Sequence, residues 1–269
     1  MKKMIAMILA VVMLAATAAA FTSCKKQEEE KVTVIMGFDA AYPPFTYEEN
    51  GKYVGFDVEF AQKVFEKLGY ELKFKAIDWD AKDSALKTGD IDCIWSGFTY
   101  EGRENDYAWT ARYLDNTIVV LTKKSANITS LSDLAGKNVA VQSDSSGETA
   151  LKSEEKKALV ASFNGGKYNL EADYTVAFTK LKAGAYDALV VDVGVANYLK
   201  KMGSAADGEF VTLSETISKE TYGVGFRTSD KELCKKVSDA MESVAKDKAF
   251  IQSLCDKYDV SYEAFTLGK

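Results

Sequence analysis

The sequence predicts an α/β fold, and three observations carry the prediction. Short apolar runs of strand length alternate with segments of helical period. Glycines stand where those helices should stop. A helix, glycine, strand pattern occurs twice, as Leu86-Lys87-Thr88-Gly89-Asp90-Ile91-Asp92 and as Leu181-Lys182-Ala183-Gly184-Ala185-Tyr186-Asp187, at an offset of 95 residues. Duplication and a chance likeness of two joints both imply alternating helices and strands. The echo also sets Gly97 opposite Asp192, each at the end of its strand.

Residues 32–37 read as the first strand. They run into a loop at 39–45, which holds both prolines of the chain. Phe56, Val58, Phe60, Val64, Phe65 and Leu68 keep close to a helical period over 56–68, and Gly69 ends it. Residues 71–76 alternate like a strand, 81–87 form a short helix and 91–95 a strand. In the second half, 138–142 is a strand. Ser145-Ser146-Gly147-Glu148 is a capping-box pattern opening a helix to about residue 159. A turn at 163–167, a helix at 175–182, a strand at 188–191 and a helix at 196–202 follow. Residues 231–244 and 248–258 read as two closing helices.

Composition narrows the function. The chain of 269 residues is 47% hydrophobic, enough for a substantial core, and it contains no histidine. That excludes Ser-His-Asp and Cys-His nucleophile pairs, imidazole acid–base work and His-ligated metal. A formal net charge of −6 argues against a nucleic-acid partner. The cysteines match no zinc spacing; Cys234 and Cys255 could pair in an exported protein, but sequence cannot set their distance. Cofactor-free binding is the leading class.

The N-terminus reads as an address. Two lysines precede an Ala-rich apolar run over 5–20, short for a membrane span and shaped like a signal-peptide core. A single anchoring helix is the alternative. Phe21-Thr22-Ser23-Cys24 resembles a bacterial lipoprotein cleavage box, in which Cys24 carries the lipid; Phe21 departs from the usual aliphatic residue. The expectation is a signal peptide over 1–23, then a charged tether over 24–31. The protein would be held to the outer face of the cell membrane, or in the periplasm, by lipid alone.

Several stretches together resemble a known family, the extracellular solute-binding proteins (family 3) of polar amino-acid ABC importers. They are Gly37-Phe38-Asp39-Ala40-Ala41-Tyr42-Pro43-Pro44-Phe45, Val54-Gly55-Phe56-Asp57-Val58-Glu59, Ser96-Gly97-Phe98-Thr99-Tyr100-Glu101-Gly102-Arg103-Glu104, Val139-Ala140-Val141-Gln142, residues 187–192, and Tyr222-Gly223-Val224-Gly225-Phe226-Arg227. They occur in the family's order and cover nearly all of the chain after the tether. The resemblance implies the two-lobe, type II periplasmic-binding-protein fold. Each lobe is then a mixed sheet flanked by helices, joined by two crossover hinge strands near Asp115-Asn116 and Glu220-Thr221. Lobe 1 is then 32–115 with 221–269, and lobe 2 is 116–220.

The chemistry of a free amino acid fits the matching residues. An ammonium needs acceptors, a carboxylate needs donors and the side chain needs a shaped pocket. Arg103 has the planar fork for a carboxylate. Its loop is one residue shorter than in members of the family. Ser96, Gly97, Phe98 and Thr99 offer hydroxyls, main-chain groups and close approach at a strand end; a plain turn is the alternative. Asp192 ends an apolar strand, where open α/β sheets place ligands, and by resemblance accepts the α-ammonium; capping the next helix is the alternative. Ser145 and Ser146 lie at a helix start, whose free N–H groups suit a carboxylate, and Gln142, at the end of the preceding strand and in a matching stretch, is a further candidate. Asp144 stands there in place of the family's usual Gly, and would repel an anion unless it turns outward or meets a cation. Tyr42 and Trp79 match positions where rings sandwich the ligand side chain, with core packing as the alternative; for Phe45 core packing is the stronger reading. Asp39 could meet a polar or cationic side-chain end or cap its loop. Asp57 and Asp187 read as structural acceptors.

The resemblance therefore implies a monomeric binding protein, not an enzyme, with no cofactor and no metal. Its partners are a free polar L-amino acid (Arg, Lys, Gln or cystine among the candidates) and the importer's permease subunits. Two rivals remain. One is a dehydratase acting on arogenate-type acids on the same scaffold, which needs a buried carboxylic acid in the cleft, and no Glu stands out there. The other is a sensor acting through a receptor.

Overall fold

The structure is a computed structural model and describes residues 31–203 and 208–268. The signal-peptide reading, Cys24 and nearly all of the tether lie outside the described residues. Val32–Lys269 forms one compact unit. Among the described residues no helix is long and apolar enough to cross a membrane.

The first strand β1 (Thr33–Phe38) is followed by a small sheet of β2 (Ala41–Tyr42), β3 (Thr46–Glu49) and β4 (Lys52–Val54). Helix α1 (Phe56–Leu68) buries the predicted stripe, including Phe56, Phe60, Val64 and Phe65, and Gly69 ends it in the left-handed region. Then come β5 (Glu71–Ala76), α2 (Lys82–Thr88), β6 (Cys93–Thr99), β7 (Ala108–Trp109) and the long β8 (Leu114–Lys123). The second half holds β9 (Val139–Gln142), α3 (Ser146–Lys152), α4 (Lys157–Ser162), β10 (Asn169–Glu171), α5 (Tyr174–Ala183), β11 (Ala188–Asp192), α6 (Val193–Gly203) and β12 (Phe210–Thr212). A second long strand, β13 (Ser218–Phe226), leads to α7 (Lys231–Ala245) and α8 (Lys248–Tyr258).

Sheet order explains the sequence echo. The main path runs β10-β9-β11-β8-β13-β6-β1-β5, with β12 on β8 and β7 on β13. On one side β6 lies between parallel β1 and antiparallel β13; on the other β11 lies between parallel β9 and antiparallel β8. The echoed segments thus hold equivalent places in two mirrored half-sheets, each led in by a helix ending on a left-handed glycine, Gly89 or Gly184. The halves join where β8 pairs with β13, from Leu114↔Tyr222 to Ile118↔Ser218.

The core follows the same division. One apolar cluster lies within 118–217 and includes Val120, Val141 and Val190. Another gathers Trp79, Ile91, Ile94 and Phe98. The largest spans both halves, and in it α7, α8 and Phe265 pack back onto α1. The chain's last helices therefore complete the half that its first strand began.

Three expectations shift. The single helix expected from 146 to about 159 is broken at Ser153, whose extended backbone (ψ 151°) separates α3, a 3-10 turn and α4. The strand expected to end at residue 95 runs on to Thr99. No disulfide joins Cys234 to Cys255; each is buried within its own helix face.

Phe60 is fully buried against Trp95, Tyr113 and Phe265. Phe60→Ala should cost about 3–5 kcal/mol of stability through lost burial and the cavity left behind. Urea denaturation checks this; a loss below about 1 kcal/mol would show that the aromatic core does not hold this half together.

Candidate functional site

The strand ends of the two half-sheets face each other. Between them lies an inner cavity of about 10 Å³, bordered by Asp39, Tyr42, Trp79, Ser96, Gly97, Thr99, Arg103, Gln142, Ser145, Ser146 and Asp192. That is room for about one water. Eleven of the twelve residues expected from sequence therefore border one cavity, and the echoed pair Gly97 and Asp192 meets there.

Phe98 is the exception. Gly97 takes φ +53°, and the register between β6 and β13 shifts beside it. The strand's alternation is interrupted, so Ser96, Gly97 and Thr99 all border the cavity. Phe98 turns away into a cluster with Trp79, Tyr107 and Trp109. A Cβ on Gly97 would lie 2.6 Å from the Tyr42 ring. Asp57, fully buried on α1, accepts from the Gly97 N–H at 2.7 Å and from the Tyr113 hydroxyl at 2.8 Å. Its structural reading holds: it anchors the turn from behind. Asp187 likewise accepts from the Asn138 N–H.

The walls touch through polar groups. Asp39 accepts from the Ala41 N–H at 2.8 Å and, across the cleft, from Gln142 Nε2 at 2.6 Å. Burial pushes Asp39 up to about 6, with Asp173 and Asp78 adding to it. Ser145 caps α3, accepting from the Glu148 N–H at 3.1 Å. Glu148 reaches back to the Asp144 N–H at 2.7 Å, one residue before the cap where a standard capping box would end. Asp144 does meet a cation. Its carboxylate bonds Lys82 Nζ, which is buried and also donates to the Asp144 and Trp79 carbonyls at 3.3 Å. Lys82 went unread because it stands in an ordinary charged run, Asp80-Ala81-Lys82-Asp83.

Arg103 lies over the Phe98 ring at 5.2 Å and donates to the Thr99 carbonyl at 3.3 Å. It has no ion-pair partner among the described residues, so most of its fork is available to an anion. Tyr42 stacks on Phe45 and shares a 2.9 Å hydrogen bond with the Tyr222 hydroxyl. Phe45 is core, as expected, at 1% exposure. Asp192 accepts from the Tyr222 hydroxyl at 2.6 Å and from Asn116 Nδ2 at 2.7 Å, and burial raises it above the usual carboxylate range.

Sequence reasoning missed Glu220. It is 6% exposed on β13, opposite Asn116. Its Oε1 accepts from Thr99 Oγ1 at 3.0 Å, Asn116 Nδ2 at 2.8 Å and Ser146 Oγ at 3.2 Å. Burial, and then the Asp192 charge, push it up to about 8. A buried Glu therefore does stand beside the cleft, contrary to expectation. Only β13's pairing with β8 and the meeting of both walls put it there, and no local pattern shows that.

Outside the inner cavity, and sharing Asp39 and Trp79 with it, opens a second cavity of about 820 Å³. Asp78, Asp80, Asp90, Asp173 and Glu48 line it, with Lys75 already paired to Asp90.

Comparison with known proteins agrees with this geometry. The profile of the bacterial extracellular solute-binding proteins, family 3, matches residues 34–258. The arginine-binding extracellular protein ArtP of Bacillus subtilis (strain 168) is 30% identical over 229 residues, 85% of this chain and 86% of that one. The L-cystine-binding protein TcyJ of Escherichia coli (strain K12) is 29% identical over 231 residues, 84% of this chain and 82% of its own length. Among solved structures, an ABC uptake transporter substrate-binding protein from Streptococcus pneumoniae with bound histidine superposes with a TM-score of 0.80. It is 31% identical and covers 88% of this chain and 95% of that one.

Asp39, Asp57 (raised by burial to about 7) and Glu220 hold protons in the fold that the unfolded chain gives up near its ordinary carboxylate range. Their contribution to stability is complete below about pH 4, and is lost as pH rises through the folded values. The melting temperature of the ligand-free protein should fall from pH 5 to pH 9, and Glu220→Gln should flatten the fall above pH 7. A melting temperature that rises across this range would contradict the burial of these carboxylates.

Proposed function

From the premise that the chain belongs to the bacterial extracellular solute-binding proteins, family 3, with the type II periplasmic-binding-protein fold, we propose that it captures a free polar amino acid and delivers it to an ABC importer. The cleft between the half-sheets takes the amino acid and closes over it. The observation that carries this reading is the pairing, across one cavity, of an Arg103 fork with a buried Asp192, neither with an ion-pair partner among the described residues. Arg103 receives the α-carboxylate and Asp192 the α-ammonium. A cavity of about 10 Å³ cannot admit an amino acid, so entry requires the cleft to open.

The lobes are 32–115 with 221–269, and 116–220. Motion occurs where β8 and β13 cross, near Asp115-Asn116 and Glu220-Thr221. The ligand side chain leaves the inner cavity between Asp39 and Trp79 toward the acidic outer cavity. That favours a cationic or amide side chain, such as that of arginine, lysine or glutamine; cystine, with an ammonium at its far end, fits the same path. Lipidation at Cys24 and attachment to the outer membrane face complete the proposal, as the sequence box supports. A dehydratase would need a protonated carboxyl aimed at substrate. Glu220, the buried Glu nearest that description, does not border the inner cavity and spends Oε1 on three protein donors, so binding without chemistry is the better reading.

The test is a thermal-shift screen of protein unfolded and refolded to strip ligand, against the twenty protein amino acids and L-cystine. A ligand at a hundred times its Kd adds about 2.7 kcal/mol. A rise with one or a few amino acids supports the reading; no rise with any of them, from refolded protein, sinks it.

Arg103→Ala and Asp192→Ala should each weaken the ligand by about 2–5 kcal/mol, measured by calorimetry. Wild-type affinity in either variant would remove that residue from the site.

Closure is tested at Gly194, in the first turn of α6. A Cβ there would lie 2.8 Å from Phe45 Cζ in the closed form. Gly194→Ala should wedge the lobes apart and cost about 1–3 kcal/mol of binding, roughly 5- to 150-fold. Fluorescence titration reads the loss, while the melting temperature without ligand stays near wild type. Unchanged affinity would mean that this contact is not formed when ligand is bound.

A further inference from the structure

Asp192 and Glu220 form a carboxylate pair joined by one side chain. Asn116 Nδ2 donates at 2.7 Å to Asp192 Oδ1 and at 2.8 Å to Glu220 Oε1. The two acceptor oxygens therefore lie within two hydrogen-bond lengths of each other. Asp192 is 3% exposed and Glu220 6%. Charged groups buried this deeply normally have a cationic partner. Here no Lys or Arg among the described residues forms an ion pair with either. The groups that face the pair are hydroxyls, one amide and phenols: Thr99 on β6, Asn116 on β8, Ser146 on α3, Tyr222 on β13, Tyr42 on β2 and Tyr174 on α5. None of them brings a positive charge; the cation bordering the same cavity, Arg103, donates to the Thr99 carbonyl and ion-pairs with neither carboxylate.

Glu220 is also where the two walls meet. Thr99 belongs to one and Ser146 to the other; both border the cavity, and both give their hydroxyl hydrogen to Glu220 Oε1. A hydroxyl whose hydrogen is committed presents lone pairs elsewhere. With Glu220 ionised, Thr99 and Ser146 are set as acceptors, suited to an ammonium. Glu220 itself does not border the cavity, and so acts through them.

We propose that Glu220 is a positioning residue that couples capture to a proton: in the closed, ligand-free cleft the Asp192–Glu220 pair holds one proton, and the ligand's ammonium displaces it to solvent. This rests on the reading of the site as an amino-acid cleft. Two like charges at this separation in a buried site cannot both ionise without compensation, and burial and mutual repulsion raise both groups. An ammonium at Asp192 supplies the missing charge and makes the ionised form of Glu220 affordable. Proton and ligand then compete, so affinity strengthens as pH rises. The chain has no histidine to titrate in this window; Asp39 in the cavity and Asp57 behind the Gly97 turn are the other carboxylates raised into it.

The experiment is calorimetric titration of the purified protein. The probe is whichever of the twenty amino acids and L-cystine gives the largest thermal shift, with its own titration subtracted. Kd is followed from pH 6 to pH 8, and protons are counted at pH 7 in two buffers of different ionisation enthalpy. Wild type should bind roughly tenfold more tightly at pH 8 than at pH 6 and release a large fraction of one proton per ligand. Glu220→Gln, which keeps an oxygen acceptor for the three donors, should release almost none and lose the dependence above pH 7; Asp39→Asn should keep it. A wild-type Kd flat with pH and no proton released overturns the inference while leaving the binding reading intact. A variant Glu220→Gln with the wild-type slope overturns it as well. If that variant does not fold, the wild-type proton count alone decides. Binding of no probe at any pH overturns the proposed function and this inference with it.

Discussion

The structure depends on one junction, the antiparallel pairing of β8 with β13. Each strand leaves this shared segment for a different half-sheet, so among the described residues the segment is the only main-chain ladder between the halves in the sheet order. The Asn116↔Glu220 pair sits within it. From there Asn116 reaches Asp192 at the end of β11, and Thr99 at the end of β6 and Ser146 at the start of α3 reach Glu220. The junction of the two half-sheets is thus also the place where their polar walls converge. An arrangement that closed without regard to its contents would have little reason to bury carboxylates at that point.

Much of this was legible in the sequence because it is written in local patterns. The apolar stripe of α1, the glycine stops and the alternation of 71–76 concern neighbours a few residues apart. The echo around Gly89 and Gly184 was legible for the same reason, and the sheet order gives it meaning: β6 and β11 occupy equivalent places. Of the eleven cavity residues, Gly97, Thr99, Ser145, Ser146 and Asp192 stand at strand ends and helix starts, where backbone groups run out of partners, while Tyr42, Trp79 and Arg103 were legible through the family resemblance.

What escaped notice is long-range. Lys82 pairs with Asp144 across 62 positions, and Thr99 with Glu220 across 121. A charged residue in a charged run looks solvated until the fold buries it. Phe98 was misplaced for a subtler reason. Strand alternation would keep every second side chain of β6 on one face, and the left-handed Gly97 breaks that rule locally. Ser153 similarly ends α3 where helical periodicity continues. Both departures are changes of backbone conformation at a single residue, which side-chain periodicity does not report.

The cleft is best understood as an electrostatic template left incomplete by the protein. Among the described residues Asp39, Asp192 and Glu220 are buried without a cationic partner, Arg103 borders the same space without an anionic one, and Lys82 is already paired with Asp144. The complement is a molecule carrying an ammonium and a carboxylate on one carbon. The most direct measurement is calorimetric titration of stripped protein with the amino acid it binds, with its α-N-acetyl derivative and with its α-carboxamide. The account predicts that acetylation, which removes the ammonium charge, and amidation, which removes the carboxylate charge, each abolish most of the binding. Either derivative binding as tightly as the free amino acid would contradict it.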